Sequence, residues 1–223
     1  MKSGGRPAAD TRQRLLDEAS RAFAEKGFRE TTVAEICRRA RANIAAVNYH
    51  FGSKEVLYRE AWRNAHRRML EAFPSDGGVN PEAAAEKRLA GRIRSLLQRA
   101  LSEDGLEFRI LNHEMAAPTG MLGQVVQDTI RPLAEAMENI VRELLGNRAD
   151  DQTVRLCVMC IIGPCLQVMR RERLQKSQGQ PPLFGPDMLE TMVRHFTRFA
   201  LAGIRAMRTP EGREGRKAPG PRT

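Results

Sequence analysis

The strongest constraint on the fold is a segment without proline, residues 8–73, in which helix-capping residues recur at regular intervals. Because proline interrupts helices, its absence permits a compact set of helices here. Asp10 and Thr32 each begin a capping-box pattern, and Gly27 lies where a helix end is expected. These residues predict a long first helix that Asp10 caps and that ends near Gly27. They also predict a second helix that starts after Thr32.

A third, very short helix is predicted within the stretch NIAAVNYHF. Asn43 can cap its start and Gly52 can end it. Ser53 can then cap a fourth helix that runs from Lys54 to about Phe73. The two short helices are separated by a three-residue turn, and this arrangement predicts a helix-turn-helix unit.

The rest of the chain also predicts helices. Ala, Leu, Arg, Glu and Met dominate the sequence, and runs of alternating β-branched residues are absent, so the predicted fold class is all-α. After a loop at residues 74–81, helices are expected at about residues 81–102, 104–117, 120–145, 150–175 and 186–206. Pro132 and Pro164 are expected to start, kink or break helices locally. The tail, residues 207–223, is rich in Gly, Pro and charge and is predicted to be disordered.

The formal net charge of +10 is distributed unevenly along the chain. Residues 1–70 contain 15 Lys and Arg residues against 8 Asp and Glu, whereas residues 71–206 contain 17 of each kind. A basic first third beside a neutral body predicts a surface for a polyanion such as nucleic acid at one end of the molecule. A solvated charged surface is the alternative.

Several classes of protein are disfavoured by the sequence. It contains no run of about 18 apolar residues, which argues against a membrane span. No apolar secretory segment follows the N-terminus, and the four cysteines lack framework spacing, so we expect a cytoplasmic protein with reduced thiols. Cys157, Cys160 and Cys165 lie in the most apolar segment, which favours buried small hydrophobes over a metal or thiol-sensor site. No catalytic motif, cofactor motif or metal site is predicted.

The third helix has the composition of a helix that reads DNA bases. Val47 and Phe51 are four residues apart and can face the core. Ala45, Ala46 and Asn48 lie on other faces, where Ala can contact a thymine methyl group and Asn can bind adenine. Ala in isolation is more often explained as ordinary helix composition.

Polar groups follow at the end of this helix. Tyr49, His50 and Lys54 can supply a hydroxyl, a ring N–H and an ammonium to DNA phosphates. The first turn of the fourth helix adds free backbone N–H groups that favour an anion. Taken alone, Tyr49 and His50 are also explained by packing, and Ser53 by capping.

Residues 10–58 resemble the DNA-binding domain of the TetR family of transcriptional regulators. The segments LLDEASRAFAEKGFRETTVAEIC and VNYHFGSKEVLY carry the resemblance. It implies a homodimer whose two reading helices enter successive major grooves of a pseudo-palindromic operator. It implies phosphate contacts from Thr32, Tyr49, His50 and Lys54, and positions near base edges for Asn43, Ala45, Ala46 and Asn48. Two residues depart from the family pattern, since Arg41 replaces a common glycine and Asn48 a common second aromatic residue.

Residues 108–133 resemble the CecR-like branch of these regulators, whose members are linked to drug or toxicant response. The resemblance implies a helical domain that binds a small molecule and dimerises through its last two helices. The domains are therefore expected at residues 1–55 for DNA binding, 56–206 for ligand binding and dimerisation, and 207–223 for a basic tail. Apolar faces in residues 150–173 and 186–206 fit a four-helix dimer interface. Core helices of a monomer are the alternative.

Arg109 and His113 share a helical face that could bind an anionic or hydrogen-bonding effector. An intrahelical or interdomain polar contact is the alternative. The candidate effector-binding residues are Arg109, His113, Glu114, Met115, Met121 and Gln167.

The sequence therefore predicts a DNA-binding transcriptional regulator, a ligand-responsive repressor without enzymatic activity. Two other functions stay open at this point. One is a protein that binds nucleic acid without sequence preference, for which the basic N-terminus and tail would suffice. The other is a helical enzyme that uses Glu114 and His113.

Overall fold

The computed structural model describes residues 5–102, 104–146, 149–185 and 187–208, with side chains from residue 9 onward. Helices are the only regular secondary structure in this described part, which confirms the all-α prediction. The predicted tail lies outside it from residue 209 on. The helices are α1 Gly5–Glu30, α2 Val33–Ala40, α3 Ile44–Phe51, α4 Lys54–Ala72, α5 Ala85–Leu101, α6 Leu106–Ala116, α7 Gly123–Leu145, α8 Asp151–Ser177 and α9 Met188–Met207.

The first helix starts earlier than the capping pattern predicted. α1 begins at Gly5, so Asp10 lies inside the helix and pairs with Arg14 instead of capping the N-terminus. Gln13 donates hydrogen bonds to Asp17 at 3.0 Å and Asn64 at 3.1 Å and closes no capping box. Proline is tolerated in a first helical turn, and Pro7 therefore does not stop the helix from extending upstream.

Gly27 interrupts α1 as predicted, with a φ of 75° that favours glycine. A second constraint was not visible in the sequence. A Cβ atom at this position would lie 3.2 Å from Nδ1 of His113, a residue of α6. Gly27 is therefore needed both for the end of the regular helix and for the close approach of α6.

The helix-turn-helix forms as predicted, and its three capping residues are engaged. Thr32 accepts the backbone N–H of Glu35 at 3.1 Å, and Asn43 accepts that of Ala46 at 2.8 Å. Ser53 caps α4 by accepting the N–H of Val56 at 3.3 Å. These local bonds fix where α2, α3 and α4 begin.

Two hydrophobic cores organise the molecule. The first is built by α1 to α4, with Tyr58 and Trp62 of α4 fully buried, and it also includes Ile110 of α6 and Val125 of α7. The second is built by α5, α7, α8 and α9. The division into domains at residue 55 stays a prediction, but the first core clearly reaches beyond the sequence segment that resembles a DNA-binding domain.

α7 and α8 continue through Pro132 and Pro164 without a break. α8 is also long and apolar enough to cross a membrane by length and composition, with a mean hydropathy of 1.5 over 18 residues. Sequence inspection missed this because polar residues interrupt the apolar stretch. A core helix of a soluble protein passes the same test, and Val154 and Ile161 of α8 are buried in the second core. A single such helix is weak evidence for a membrane span.

Candidate DNA-binding surface

α3 presents one buried face and one open face. Val47 and Phe51 are buried in the first core, as predicted, while Ala45 and Asn48 are exposed. Ala46 differs from the expectation, because it is half-buried and packs against that core. α3 contacts α1, α2 and α4, so more of its surface is covered than Val47 and Phe51 alone account for. The base contacts expected of Ala45, Ala46 and Asn48 stay predictions.

The exposed face ends in an aromatic pair. The side chain of Tyr49 is 82% exposed, and its ring meets the edge of the His50 ring with 4.9 Å between centroids. His50 is half-buried, and Thr32 and Asn43 are exposed. The phenol group of Tyr49 therefore projects farther from the core than the imidazole of His50. Ile44, at the other end of α3, is 54% exposed and widens this face.

Lys54 lies at the start of α4 in an unexpected environment. Its Nζ atom lies 4.3 Å from the centroid of the Phe28 ring, a cation–π contact. Partial burial lowers the pKa of this ammonium, and the nearby carboxylate of Glu55 opposes that effect. The contact orients the ammonium group at the α4 N-terminus, beside the end of α3. The sequence gave no signal for it, because Phe28 belongs to α1.

Arg41 ends α2 in the left-handed conformation, with φ 51° and ψ 46°. It is the only non-glycine residue with positive φ among the described residues. The turn is closed by Ala42, whose backbone N–H bonds to the carbonyl of Cys37 at 2.9 Å. The departure from glycine noted in the sequence therefore introduces strain, since a left-handed non-glycine residue costs about 1–2 kcal/mol.

We expect Arg41→Gly to raise the free energy of unfolding by about 0.5–1 kcal/mol. Relief of the left-handed strain exceeds the entropy that glycine adds to the unfolded chain. Arg38→Gly, at an exposed position inside α2, is the control and should lower stability by up to about 1 kcal/mol. Urea denaturation measures both changes, and equal losses would contradict the strain at Arg41.

Contacts of Glu114 and His113 join α6 to α4 and α1. Glu114 accepts a hydrogen bond from the hydroxyl of Tyr58 at 3.1 Å, and from the backbone N–H groups of Thr119 at 2.9 Å and Gly120 at 3.0 Å. Burial, and then the negative charge of Glu114, raise the pKa of the Tyr58 phenol. With His113 packed at Gly27, both residues form contacts between helices that the sequence left as an alternative. Their role in effector binding stays a prediction.

The other candidate effector residues are dispersed. Met115 is 61% exposed, Met121 packs against the first core, and Gln167 is exposed on α8. Among the surface clefts formed by the described residues, one of about 490 Å³ lies between α5 and α9 and one of about 590 Å³ lies along α1 and α4. Neither is lined by any of the six predicted effector residues.

Sequence inspection missed a buried ionic cluster between α4, α5 and α6. His66, Arg99 and Glu107 are at most 7% exposed and come from α4, α5 and α6. Glu107 accepts hydrogen bonds from Arg99 at 2.7 and 3.0 Å through Oε1, and its Oε2 contacts Nδ1 of His66. Their spacing in the sequence resembles that of ordinary surface residues, so only the packing of three helices reveals the cluster.

The cysteines are only partly buried, in contrast to the prediction. Cys165 is buried, which raises the pKa of its thiol to about 12, whereas Cys157 is half-buried and Cys160 is exposed. α8 turns its apolar residues to both the core and the surface, and Cys160 falls on the surface side. Within the described ranges, no group of three or more His, Cys, Asp or Glu residues is arranged to hold a metal ion.

The predicted dimer faces divide into buried and exposed parts. Val168, Val193 and Ile204 belong to the second core and are not available to another chain. Leu156 and Met159 of α8 are 53% and 68% exposed, and Phe199 of α9 is 70% exposed. Cys160 and Gly163 also lie on the exposed side of α8. An open apolar stripe therefore runs along the outer faces of α8 and α9.

Comparison with known proteins gives two family matches. The family model of bacterial regulatory proteins, tetR family, matches residues 15–61. The model of the C-terminal domain of the HTH-type transcriptional dual regulator CecR matches residues 85–204, more than half of the chain. CecR of Shigella flexneri is 28% identical over 165 residues, which cover 70% of this chain and 74% of that protein.

Solved structures share the fold at low identity. A TetR-like transcriptional regulator from Rhodococcus sp. RHA1 superimposes with a TM-score of 0.63 at 20% identity, covering 86% of this chain and 96% of that one. FadR of Bacillus subtilis, solved in complex with stearoyl-CoA, gives a TM-score of 0.66 at 16% identity, covering 86% and 98%.

Proposed function

Since this chain belongs to the TetR family of DNA-binding transcriptional regulators, we propose that it is a ligand-responsive repressor that acts as a homodimer on a pseudo-palindromic operator. Binding of a small-molecule effector releases it from the DNA. The proposal places it in the cytoplasm, where soluble regulators of this family act, and assigns it no enzymatic step. Glu114 is the acid of the enzyme alternative, and its carboxylate is already engaged by Tyr58, Thr119 and Gly120.

The observation that carries the proposal is the open face of α3. A helix that enters the major groove needs small or neutral side chains toward the bases and polar groups toward the phosphates. Ala45 and Asn48 are exposed on α3, and Tyr49 and Lys54 lie at its end. Thr32 and His50 complete the set proposed to touch phosphates, and Asn43 and Ala46 the set proposed near base edges.

Dimerisation is supported by the exposed stripe of α8 and α9. Large apolar side chains that remain 53–70% exposed, such as Leu156, Met159 and Phe199, are typical of a surface that another chain covers. A symmetric pair of these helices would make a four-helix interface. The dimer would present two copies of α3 to half-sites about 34–36 Å apart.

Effector control is supported by the position of α6. This helix packs on α1 and α4, with His113 next to Gly27 and Glu114 bonded to Tyr58. Displacement of α6 would therefore change the position of both helices that support the helix-turn-helix. An effector that prefers the displaced state weakens DNA binding by its differential affinity, typically about 1–3 kcal/mol. The stearoyl-CoA complex of FadR shows only that this fold can hold a ligand.

Selection of bound duplexes from random DNA tests the proposal. We expect one recovered motif with two-fold symmetry, which would report both the operator and the dimer. Affinity for the selected site and for a scrambled duplex is then compared at about 0.15 M salt, where electrostatic binding is weakened. Equal affinities would favour the alternative, a protein that binds nucleic acid without sequence preference.

We expect Lys54→Ala to weaken binding to selected and scrambled DNA by a similar factor. Loss of one phosphate contact should also reduce the slope of log affinity against log salt by about 1. Asn48→Ala is the control, because loss of a base contact should relax preference at one position and leave the slope unchanged. Mobility shifts over a salt series measure both. A parental slope in the Lys54 variant would exclude the phosphate contact.

A further inference from the structure

Two arginines, Arg109 of α6 and Arg173 of α8, lie at the junction of these helices without an ion pair to any carboxylate of the described residues. Nη2 of Arg173 donates to the carbonyl oxygen of Gly105, the residue before α6, at 3.2 Å. Nη1 of Arg173 is buried and has no hydrogen-bond partner. Arg109 lies one turn into α6, where its backbone N–H bonds to the same carbonyl at 3.4 Å. Its side chain is half-buried.

The described carboxylates close in sequence to Arg109 and Arg173 are already engaged or face solvent. Both oxygens of Glu107 are used by Arg99 and His66. Glu172, next to Arg173 in sequence, accepts the backbone N–H of Phe184 at 2.8 Å, and Asp104 is exposed. Burial, followed by the charge of Arg109, lowers the pKa of Arg173 to about 10. The junction therefore carries an excess of positive charge that the described part of the chain does not neutralise.

We propose that Arg173 and Arg109 together bind an oxyanion, a carboxylate or phosphate group of the effector. The buried Nη1 group of Arg173 lacks a hydrogen-bond partner, which costs stability, and a bound anion removes that cost. The planar guanidinium matches the geometry of both carboxylate and phosphate, and the unpartnered Nη1 of Arg173 supplies the inner donor. Arg109 is partly exposed and forms the side of the site that faces solvent.

The position of this site explains how a bound anion could influence the DNA-binding helices through α6. An oxyanion held between Arg109 and Arg173 fixes the start of α6 against α8. The other end of α6 carries His113 and Glu114, which contact α1 and α4 through Gly27 and Tyr58. This coupling rests on the proposed function, whereas the binding of the anion does not depend on DNA.

Thermal unfolding of the full chain in sodium chloride, sodium acetate and sodium phosphate, at equal ionic strength and pH, tests the site. We expect acetate or phosphate to raise Tm by about 2–4 °C when present well above its dissociation constant. The anion that raises Tm more indicates whether the effector carries a carboxylate or a phosphate group. No increase in either anion would overturn the proposal.

Single-residue variants test whether Arg109 and Arg173 cause the anion-dependent increase in Tm. Arg109→Met should abolish the increase in Tm, and because Arg109 is partly exposed this variant should fold. Arg173→Met should also abolish it and should raise Tm in chloride, since a half-buried guanidinium whose Nη1 lacks a partner is replaced by an apolar side chain. Arg171→Met is the control, because Arg171 is exposed on the same helix, and it should keep the full increase. An increase that persists in both junction variants would show an adventitious ion only.

Measurements of operator affinity test the coupling to DNA binding separately from the binding of the anion. We expect the effective anion to lower the affinity of the parent for its selected operator and to leave that of Arg109→Met unchanged. An anion-dependent Tm without any effect on operator affinity would overturn the coupling. Absence of a specific operator would overturn the proposed function and would leave the Tm result unaffected.

Discussion

Phe199→Glu should yield a folded monomer that no longer binds its operator tightly. The side chain is 70% exposed, so the substitution leaves both cores of the chain intact. In the proposed dimer the same residue lies in the four-helix interface, where two introduced carboxylates would be buried close together. Because two linked half-sites bind about 100-fold or more tightly than one, loss of the dimer should reduce operator affinity by at least that factor.

Sedimentation gives the oligomeric state, circular dichroism the helix content, and mobility shift the operator affinity. Met115→Glu is the matched control, since Met115 is 61% exposed but lies on α6, outside the stripe of α8 and α9. The control should remain dimeric and bind the operator as the parent does. A dimeric Phe199→Glu variant would exclude this surface as the interface.

Glu107→Gln should reduce the free energy of unfolding by about 3–5 kcal/mol. Glu107 is 2% exposed and is the only carboxylate that contacts Arg99 and His66 in the described structure. Its neutralisation leaves the guanidinium of Arg99 buried without a counter-charge. Since domains are stable by only about 5–15 kcal/mol, this loss is a large fraction of the total.

Guanidinium denaturation measures the change. Glu71→Gln is the control, because its pair with Arg67 is exposed by more than half on both side chains and should contribute at most about 1 kcal/mol. The double variant Arg99→Met with Glu107→Leu should recover most of the stability, since it removes both charges together. A double variant as unstable as Glu107→Gln would show that packing, and not charge, causes the loss.

Local signals in the sequence located the helix-turn-helix correctly. Thr32, Asn43 and Ser53 each accept a hydrogen bond at the N-terminus they were predicted to cap. A cap forms between residues three apart in the chain, so its pattern is readable without tertiary structure. Asp10 was misassigned because helical residues before it lengthen α1. Arg41 adopts the left-handed conformation at the end of α2, at the position where the family resemblance had implied glycine.

The structure beyond residue 73 was less predictable for a physical reason. Arg109 was predicted as a candidate effector residue from its helical face, whereas Arg173, His66 and Arg99 were not singled out. Their partners come from other helices, at sequence separations that no helical period encodes. The exposed position of Cys160 was missed for a related reason, because α8 has apolar residues on both faces and composition does not say which face is covered.

The sequence by itself determined the helical class, the order of the helices and the caps at which α2, α3 and α4 begin. These follow from backbone capping and from hydrophobic periodicity, which act over one or two helical turns. Only the tertiary structure decided that α6 joins the core of the DNA-binding helices, through Ile110 in the core and through contacts at Gly27 and Tyr58. Such contacts depend on how whole helices pack. They join residues far apart in sequence, so the spacing of residues along the chain does not encode them.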